Sequence, residues 1–171
     1  MVTRFFLKTF SSLALIMSFG AASALAANDN CTAAKKFAVC NDDVVKERVD
    51  WACALVEKKG KDALPEINSM RYECCGEPDY VWINDLQPKM VMHPIQPNLD
   101  GKDLADKKDP KGKPLFVAFV EAVTKTPSGD WVDYMWQKYG ESDATPKKSW
   151  VKKCKVGKTK ENWVVGSGTW K

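Results

Sequence analysis

Histidine is nearly absent from this sequence, which contains only His93 in 171 residues. A metal site built from several histidines is therefore excluded, and a Ser-His-Asp triad would have to use His93. No G-x-S-x-G motif accompanies it, and no helix follows Gly166-Ser167-Gly168 to make a nucleophile elbow or a phosphate loop. Glycines inside a strand instead permit a bulge or the close approach of another backbone. The sequence predicts neither an enzyme nor a cofactor.

An excess of charge of one sign is also lacking. The 26 lysines and arginines stand against 22 aspartates and glutamates, for a formal charge of +4. Removal of Arg4 and Lys8 with an N-terminal targeting segment would reduce this charge to +2. Such a balance provides no polybasic surface, so no nucleic-acid partner is expected. Asp103, Asp106 and Asp109 recur at every third position, unlike the alternating acids of an EF-hand loop, so calcium binding has little support.

Long hydrophobic runs are missing beyond residues 1–26. Phe10–Phe19 is apolar apart from small hydroxyl residues, and it is shorter than the roughly 20 residues that a membrane span requires. Ala24-Leu25-Ala26 has the small-x-small pattern of a signal peptidase site, and no cysteine directly follows it as in a lipoprotein. We therefore expect a Sec signal peptide over residues 1–26 and one mature domain over residues 27–171, periplasmic or secreted.

Cysteines are present, but the absence of C-x-x-C argues against a thioredoxin-type redox centre, and the absence of C-x-x-C-H excludes a c-type haem. The six cysteines all lie in the expected mature domain: Cys31, Cys40, Cys53, Cys74, Cys75 and Cys154. In an exported protein an even number predicts disulfides, although the sequence does not select their connectivity. Adjacent Cys74 and Cys75 are poorly placed to bond each other, so at least one of them is expected to bond Cys53 or Cys154. A loop bridged by Cys31 and Cys40 would also fit, and a thiolate metal site is the alternative.

Hydrophobic periodicity predicts two helices, a hairpin, a long loop, a third helix and three further strands. In chain order they are a helix from Asn41-Asp42-Asp43 to Lys59 that Gly60 ends, a helix over Asp62–Ser69 with Asp62 as its cap, a hairpin over Tyr80–Pro94, a loop over Gln96–Lys113, a helix from Pro114 that stops at Pro127, and strands over Trp131–Tyr139, Trp150–Val156 and Trp163–Trp170. Glu141–Lys147 is interpreted as a polar turn. Five antiparallel strands with helices before and between them indicate an α+β domain of the PAS-like type.

Three of these elements have one distinct face. The first helix repeats apolar residues at Val45, Val49, Ala52 and Val56, and the third at Phe116, Phe119, Val120 and Val123. In the hairpin, one face collects Tyr80, Trp82, Asn84 and Leu86 from the first strand and Met90 and Met92 from the second. Aromatic rings, thioethers and an amide on one face are more typical of a small-ligand pocket than of a plain core.

Seven segments carry a family resemblance. They are YVWINDL (80–86), KMVMHP (89–94), GKDL (101–104), KDPKGKPLF (108–116), GDWVDYMW (129–136), PKKSWVK (146–152) and WVVGSG (163–168). In this order and spacing the chain, from about Val44 to its C-terminus, resembles the single Cache domain, type 2. Domains of this family are extracytoplasmic sensing modules of bacterial chemoreceptors and sensor kinases that act in signal transduction and chemotaxis.

The resemblance implies a ligand, a partner and an assembly. A long N-terminal helix would back the sheet and pair with a second copy in a homodimer, and the connector Gln96–Lys113 would fold over the ligand. The implied ligand is a carboxylate of two to four carbon atoms, such as acetate, lactate or pyruvate. Family members usually sit between two transmembrane helices, which this sequence does not predict. A separate membrane receptor or kinase is therefore the expected signalling partner.

The expected ligand-binding residues are Arg71, Trp82, Met92, His93, Tyr134, Trp136 and Lys147. Arg71 offers a planar guanidinium for a carboxylate, with an ion pair to Glu66 or Glu73 as the alternative. Lys147 matches the position of a family lysine, and Lys148 is expected on the opposite face of its strand.

The other candidates are the aromatic residues Trp82, Tyr134 and Trp136, the thioether Met92 and the histidine His93. The aromatic rings are expected to wall the pocket and to present polar handles to the ligand, with core packing as the alternative. His93, which Pro94 holds extended, is expected to make a structural hydrogen bond or to contact the ligand. Three functional hypotheses therefore compete: a ligand-binding sensor, an exported enzyme of unknown class, and a disulfide-stapled interaction domain whose pocket its own side chains fill.

Overall fold

The computed structural model describes residues 42–74, 77–138 and 140–171. The expected signal peptide and the N-terminal part of the mature domain therefore lie outside the described residues. The helices are α1 (Asp42–Lys59), α2 (Leu64–Ser69) and α3 (Leu115–Lys125), with short 3-10 turns at Gly60–Ala63 and Pro97–Leu99. The strands are β1 (Tyr72–Cys74), β2 (Glu77–Asp79), β3 (Val81–Asp85), β4 (Met90–Met92), β5 (Asp130–Gln137), β6 (Ala144–Lys155) and β7 (Asn162–Trp170).

The main sheet has five strands in the order β4-β3-β7-β6-β5, and every neighbouring pair is antiparallel. This arrangement confirms the predicted α+β, PAS-like architecture. The short strands β1 and β2 form a separate two-stranded sheet, which the sequence reading did not anticipate.

Strand β6 begins earlier than predicted, so the assignment of Glu141–Lys147 to a polar turn is wrong from Ala144 onward. Ala144 pairs with Gln137 at one end of β5, and Val151 pairs with Asp130 at the other. The prediction failed because a lysine-rich segment with a proline looks like a turn, whereas here residues 144–147 pair with residues 134–137 of β5. Strand β5 itself ends at Gln137, before the predicted limit of Tyr139, which lies outside the described residues.

Helix α1 packs on one face of the sheet. Its predicted apolar face is confirmed, since Val45, Val49, Ala52 and Val56 are each 0% exposed. Val49, Ala52 and Val56 pack with the side chains that alternate toward this face, such as Val81 and Ile83. Fully burying a residue of this size contributes about 1.5–3 kcal/mol, so these contacts hold α1 against the sheet.

Helix α3 packs on the opposite face. Phe116, Phe119 and Val123 are buried there against Trp82 and Tyr134. Strand residues alternate between the two faces, so the side chains buried beneath α3 are separated from those buried beneath α1. The candidate site belongs to the cluster beneath α3.

The hairpin of β3 and β4 is confirmed, but it contains an irregularity that changes one side-chain assignment. Ile83 lies opposite Met92, whereas the next residue, Asn84, lies opposite Met90. Val91 is therefore an extra residue in β4, as in a β-bulge. Because of this extra residue, Met90 packs in the cluster beneath α3 and Met92 packs in the cluster beneath α1. The prediction that the two methionines share a face is wrong.

Two helix starts also differ from the predictions. Pro114 precedes α3 rather than beginning it. Asp62 lies in the 3-10 turn, and α2 starts after Ala63, which makes no capping hydrogen bond with its side chain. Gly60 has a φ of +61°, a left-handed conformation that ends a helix, so α1 ends where predicted.

One disulfide is described, between Cys53 in α1 and Cys154 in β6, across a sequence separation of 101 residues. The prediction of disulfides is confirmed for this pair. Since each sulfur forms one such bond, the expectation that Cys74 or Cys75 would bond Cys53 or Cys154 is wrong. Cys31, Cys40 and Cys75, and the side chain of Cys74, lie outside the described residues.

Candidate ligand-binding site

A small cavity lies between α3 and the sheet. The space that a water-sized sphere can occupy is about 10 Å³, enough for about one water molecule. Its lining consists of Tyr80, Trp82, His93, Leu115, Phe116, Phe119, Tyr134 and Trp136. Aromatic rings meet around it, with Phe119 5.1 Å from Tyr134 and 5.3 Å from Trp82 between ring centroids. The cavity is therefore present but nearly filled by its own side chains.

Lys147 is a buried cation beside this cavity. Its side chain is 1% exposed, and its Nζ lies 4.3 Å from the Trp170 ring centroid and 4.7 Å from that of Tyr80. The nearest carboxylate oxygen is Asp79 Oδ1 at 4.0 Å, and Nζ has no hydrogen-bond partner among the described residues. Burial alone would lower the pKa of Lys147, but Tyr80, Tyr134 and Asp79 together raise it above its usual value. The group is thus an ammonium at neutral pH.

Trp82 provides a second buried donor. Its Nε1 has no hydrogen-bond partner within the described part of the chain, although its residue is only 3% exposed. The hydroxyl of Tyr134, in contrast to Trp82 Nε1, has a hydrogen-bond partner, because it lies 2.8 Å from Ser149 Oγ. Burial raises the pKa of Tyr134, so its phenol stays neutral. A buried donor without a partner costs about 1–3 kcal/mol, and an anionic acceptor would remove that cost.

Two glycines of β7 make room for these groups. A Cβ at Gly166 would lie 2.5 Å from the Trp82 ring, and one at Gly168 would lie 2.0 Å from Ser149 Oγ and 2.9 Å from Lys147 Cε. All three distances are shorter than the contacts that real Cβ atoms make. The glycines therefore permit a close approach, as the sequence predicted for Gly166-Ser167-Gly168, but the approaching groups include side chains.

His93 joins the cavity to the connector that follows β4. It is 2% exposed, its Nδ1 accepts a hydrogen bond from the Gln96 backbone N–H at 3.0 Å, and the His93 backbone N–H donates to Asp100 Oδ1 at 2.8 Å. Burial, and next the positive charge of Lys147, lower the pKa of His93 to about 3. The imidazole is therefore neutral at pH 7, with its proton on Nε2.

The structure brings together most of the predicted site residues. Trp82, His93, Tyr134 and Trp136 line the cavity, with Lys147 beside it. Lys148, by contrast, is 25% exposed and lies 2.6 Å from Asp42 Oδ1. Lys147 and Lys148 therefore lie on opposite faces of their strand, as predicted.

Two predicted site residues lie elsewhere. Met92 packs on the α1 face, as described above. Arg71 is exposed, and its Nη1 donates to the carbonyl oxygens of Asn68 at 2.6 Å and Met70 at 2.7 Å. Of its two expected alternative partners, Glu66 instead pairs with Lys59 at 2.6 Å, and the side chain of Glu73 lies outside the described residues.

Sequence reasoning missed the contribution of α3 to the lining. Leu115, Phe116 and Phe119 close the cavity on the side away from the sheet. The apolar period of the helix identified its buried face, but not the strands against which that face packs. Among the described residues, no three His, Cys, Asp or Glu side chains are grouped so as to hold a metal ion. No helix in the described ranges is long and apolar enough to cross a membrane.

A family model for the Cache domain matches residues 41–171. The chain therefore belongs to the Cache domain family, which confirms the resemblance seen in the sequence. The methyl-accepting chemotaxis protein McpP of Pseudomonas putida is 37% identical over 114 residues, which are 67% of this chain and 20% of McpP. The chain thus matches about one fifth of the length of this curated relative.

Solved structures share the fold. A periplasmic sensor domain of a chemotaxis protein superposes with a TM-score of 0.63 at 37% identity, over 75% of this chain and 93% of that one. A Cache chemosensory domain, described for the structural basis of carboxylic acid recognition, gives 0.64 at 31% identity, over 75% and 91%. A methyl-accepting chemotaxis protein from Vibrio parahaemolyticus gives 0.60 at 23% identity, over 75% and 86%, and supports the fold alone. The Cache family is one of sensory domains of chemoreceptors rather than of enzymes.

Proposed function

We propose that this chain is an exported sensory domain that binds a small carboxylate of two to four carbon atoms in the cavity beneath α3. The observation that carries the proposal is the buried ammonium of Lys147, whose Nζ has no hydrogen-bond partner among the described residues. Trp82 Nε1 is a second buried donor without a hydrogen-bond partner among the described residues. A carboxylate that accepts from both would satisfy them with charge-assisted hydrogen bonds, which are among the strongest in proteins.

The composition of the site supports a short acid with one carboxylate. Lys147 is the buried cation beside the cavity, whereas the guanidinium of Arg71 is exposed and contacts backbone carbonyls. A second carboxylate would thus have no further buried cation to pair with in the described part of the chain. The surrounding rings of Trp82, Tyr134 and Trp136 leave little volume, so a longer acid would require larger movements of the walls.

The relatives support a sensory role without catalysis. One solved neighbour is described for carboxylic acid recognition, and another is a periplasmic sensor domain. We propose by analogy that this chain acts in the periplasm, after removal of residues 1–26, and passes its signal to a separate membrane receptor or kinase. No chemical conversion of the ligand is proposed.

The test is titration calorimetry of the mature protein with acetate, propionate, lactate, pyruvate and succinate, beside matched amines and amides. Lys147→Met keeps the length of the side chain and removes the charge. Loss of one partner of a buried charged hydrogen bond costs about 2–5 kcal/mol, so Lys147→Met should weaken acid binding by at least about tenfold. The neighbouring Lys148→Met is the matched control and should change affinity little. Equal affinities for Lys147→Met and the unmutated protein would refute the proposed contact.

A second candidate function rests on the small volume of the cavity. A site of about 10 Å³ also suits an interaction domain whose pocket its own side chains fill. In that case no acid, amine or amide would raise the melting temperature. A ligand at about 100 times its Kd should stabilise a binding protein by about 2.7 kcal/mol. A flat response across the panel would therefore favour the interaction domain.

A further inference from the structure

Asp109 lies outside the cavity, in the connector between β4 and α3, and its carboxylate organises a tight turn. Oδ1 accepts hydrogen bonds from the backbone N–H groups of Lys111 and Lys113, each at 2.9 Å. The backbone of Asp109 also accepts from Gly112 N–H at 2.8 Å and donates to the Lys113 carbonyl at 2.9 Å. Asp109 is 7% exposed. Asp109 thus holds the turn that it begins, which runs to Lys113 and ends just before α3.

The other oxygen of the same carboxylate bonds to the sheet. Oδ2 accepts a hydrogen bond from the backbone N–H of Met135 at 2.9 Å. Lys113 makes a second link, because its Nζ donates to the Asp133 carbonyl. Both partners lie in β5, which is an edge strand of the five-stranded sheet. Asp109 therefore ties the connector to that edge.

This tie joins the two walls of the cavity. Met135 stands between Tyr134 and Trp136, which line the cavity from the sheet. Two residues beyond Lys113, Leu115 begins α3 and lines the cavity from above with Phe116. The separation of the two walls thus depends on a turn that one carboxylate holds against β5.

We propose that Asp109 is a positioning residue that holds the start of α3 against β5 and so sets the length of the acid that the cavity accepts. The second part rests on the proposed function. A carboxylate of two to four carbon atoms is larger than the water-sized space of the cavity, so the walls must separate when it binds. A firm tie limits that separation and favours short acids.

The charge state of Asp109 fits this role. Burial alone would raise the pKa of its carboxyl, but the N–H groups of Met135, Lys113 and Lys111 outweigh burial and lower it. The carboxylate is therefore ionised and accepts all three hydrogen bonds. An asparagine cannot do so, because its amide nitrogen is a donor and would face an N–H group.

The first measurement is hydrogen exchange of the ligand-free mature protein. Asp109→Asn and Asp109→Ala should accelerate exchange of the Met135 amide by at least about tenfold. Asp103→Asn is the matched control, because Asp103 is an exposed aspartate of the same connector whose Oδ1 accepts from the Ala105 N–H. Lys113→Met keeps Asp109 and removes only the second link, so it should give a smaller change in the same direction. Unchanged protection of Met135 in both Asp109 variants would overturn the tie.

The second measurement is the ratio of Kd values for acetate and pentanoate. In Asp109→Asn the Kd of acetate divided by the Kd of pentanoate should rise by at least about tenfold, or about 1.4 kcal/mol, in favour of pentanoate. In Asp103→Asn this ratio should not change. An unchanged ratio in a variant whose Met135 amide exchanges faster would overturn the specificity role and leave the proposed function intact. If the unmutated protein binds no acid, the proposed function and the specificity role fall together, and the exchange data alone decide whether Asp109 ties the walls.

Discussion

The stability of this domain should fall in mildly acidic solution because of His93. The imidazole is 2% exposed, and its pKa is lowered from 6.5 to about 3 by burial and by the positive charges of Lys147, Arg71 and Lys107. The carboxylate of Asp100, which accepts from the His93 backbone N–H, does not offset these effects. The unfolded chain therefore takes up a proton near pH 6.5, whereas the folded chain does not.

The sign and size of the effect follow from this difference. The stabilisation from a neutral His93 is complete above the unfolded pKa of 6.5, declines below it, and is lost by the folded pKa of about 3. Each pH unit in this window costs about 1.4 kcal/mol. Between about pH 7.5 and about pH 5 the free energy of unfolding should therefore drop by about 2 kcal/mol. That is a large part of the 5–15 kcal/mol typical of a domain.

Urea unfolding across this pH range measures the effect. His93→Asn is the informative variant, because its Oδ1 keeps an acceptor for the Gln96 N–H but does not titrate. Its free energy of unfolding should change with pH by about 2 kcal/mol less than that of the unmutated protein. The range stays above the ordinary pKa values of aspartate and glutamate, so carboxyl groups contribute little. Equal pH slopes for the two proteins would show that His93 is not a buried neutral base.

Two further predictions concern the support of the site. Replacing both Cys53 and Cys154 by alanine removes a bridge across a sequence separation of 101 residues, and the chain-entropy model predicts a loss of about 4.7 kcal/mol in urea unfolding; a loss near zero would contradict that account. Gly168→Ala should lower stability by about 1–3 kcal/mol through overpacking, and should also weaken acid binding, because its Cβ would displace Ser149 or Lys147. A Gly168→Ala protein with normal melting temperature and affinity would contradict the packing described for β7.

The sequence by itself determined most of the elements and most of their faces. The period of α1 identified the residues that the structure buries at 0% exposure. Alternation along the strands placed Trp82, Tyr134 and Trp136 on the side that faces the cavity. These properties are local, because the direction of a side chain within a regular helix or strand depends only on the period of that element. The opposite facing of Lys147 and Lys148 was expected from the family resemblance rather than from a predicted strand.

Only the tertiary structure decided what depends on contacts between distant segments. The bulge at Val91 moved Met92 to the α1 face, and the packing of α1 against β6 selected Cys154 as the partner of Cys53. The tie from Asp109 to the Met135 amide spans 26 residues, and no local pattern distinguishes it from an ordinary turn aspartate. Periodicity specifies which way a residue points within its own element, whereas strand register and helix docking specify what it meets, and these depend on the packing of the whole chain.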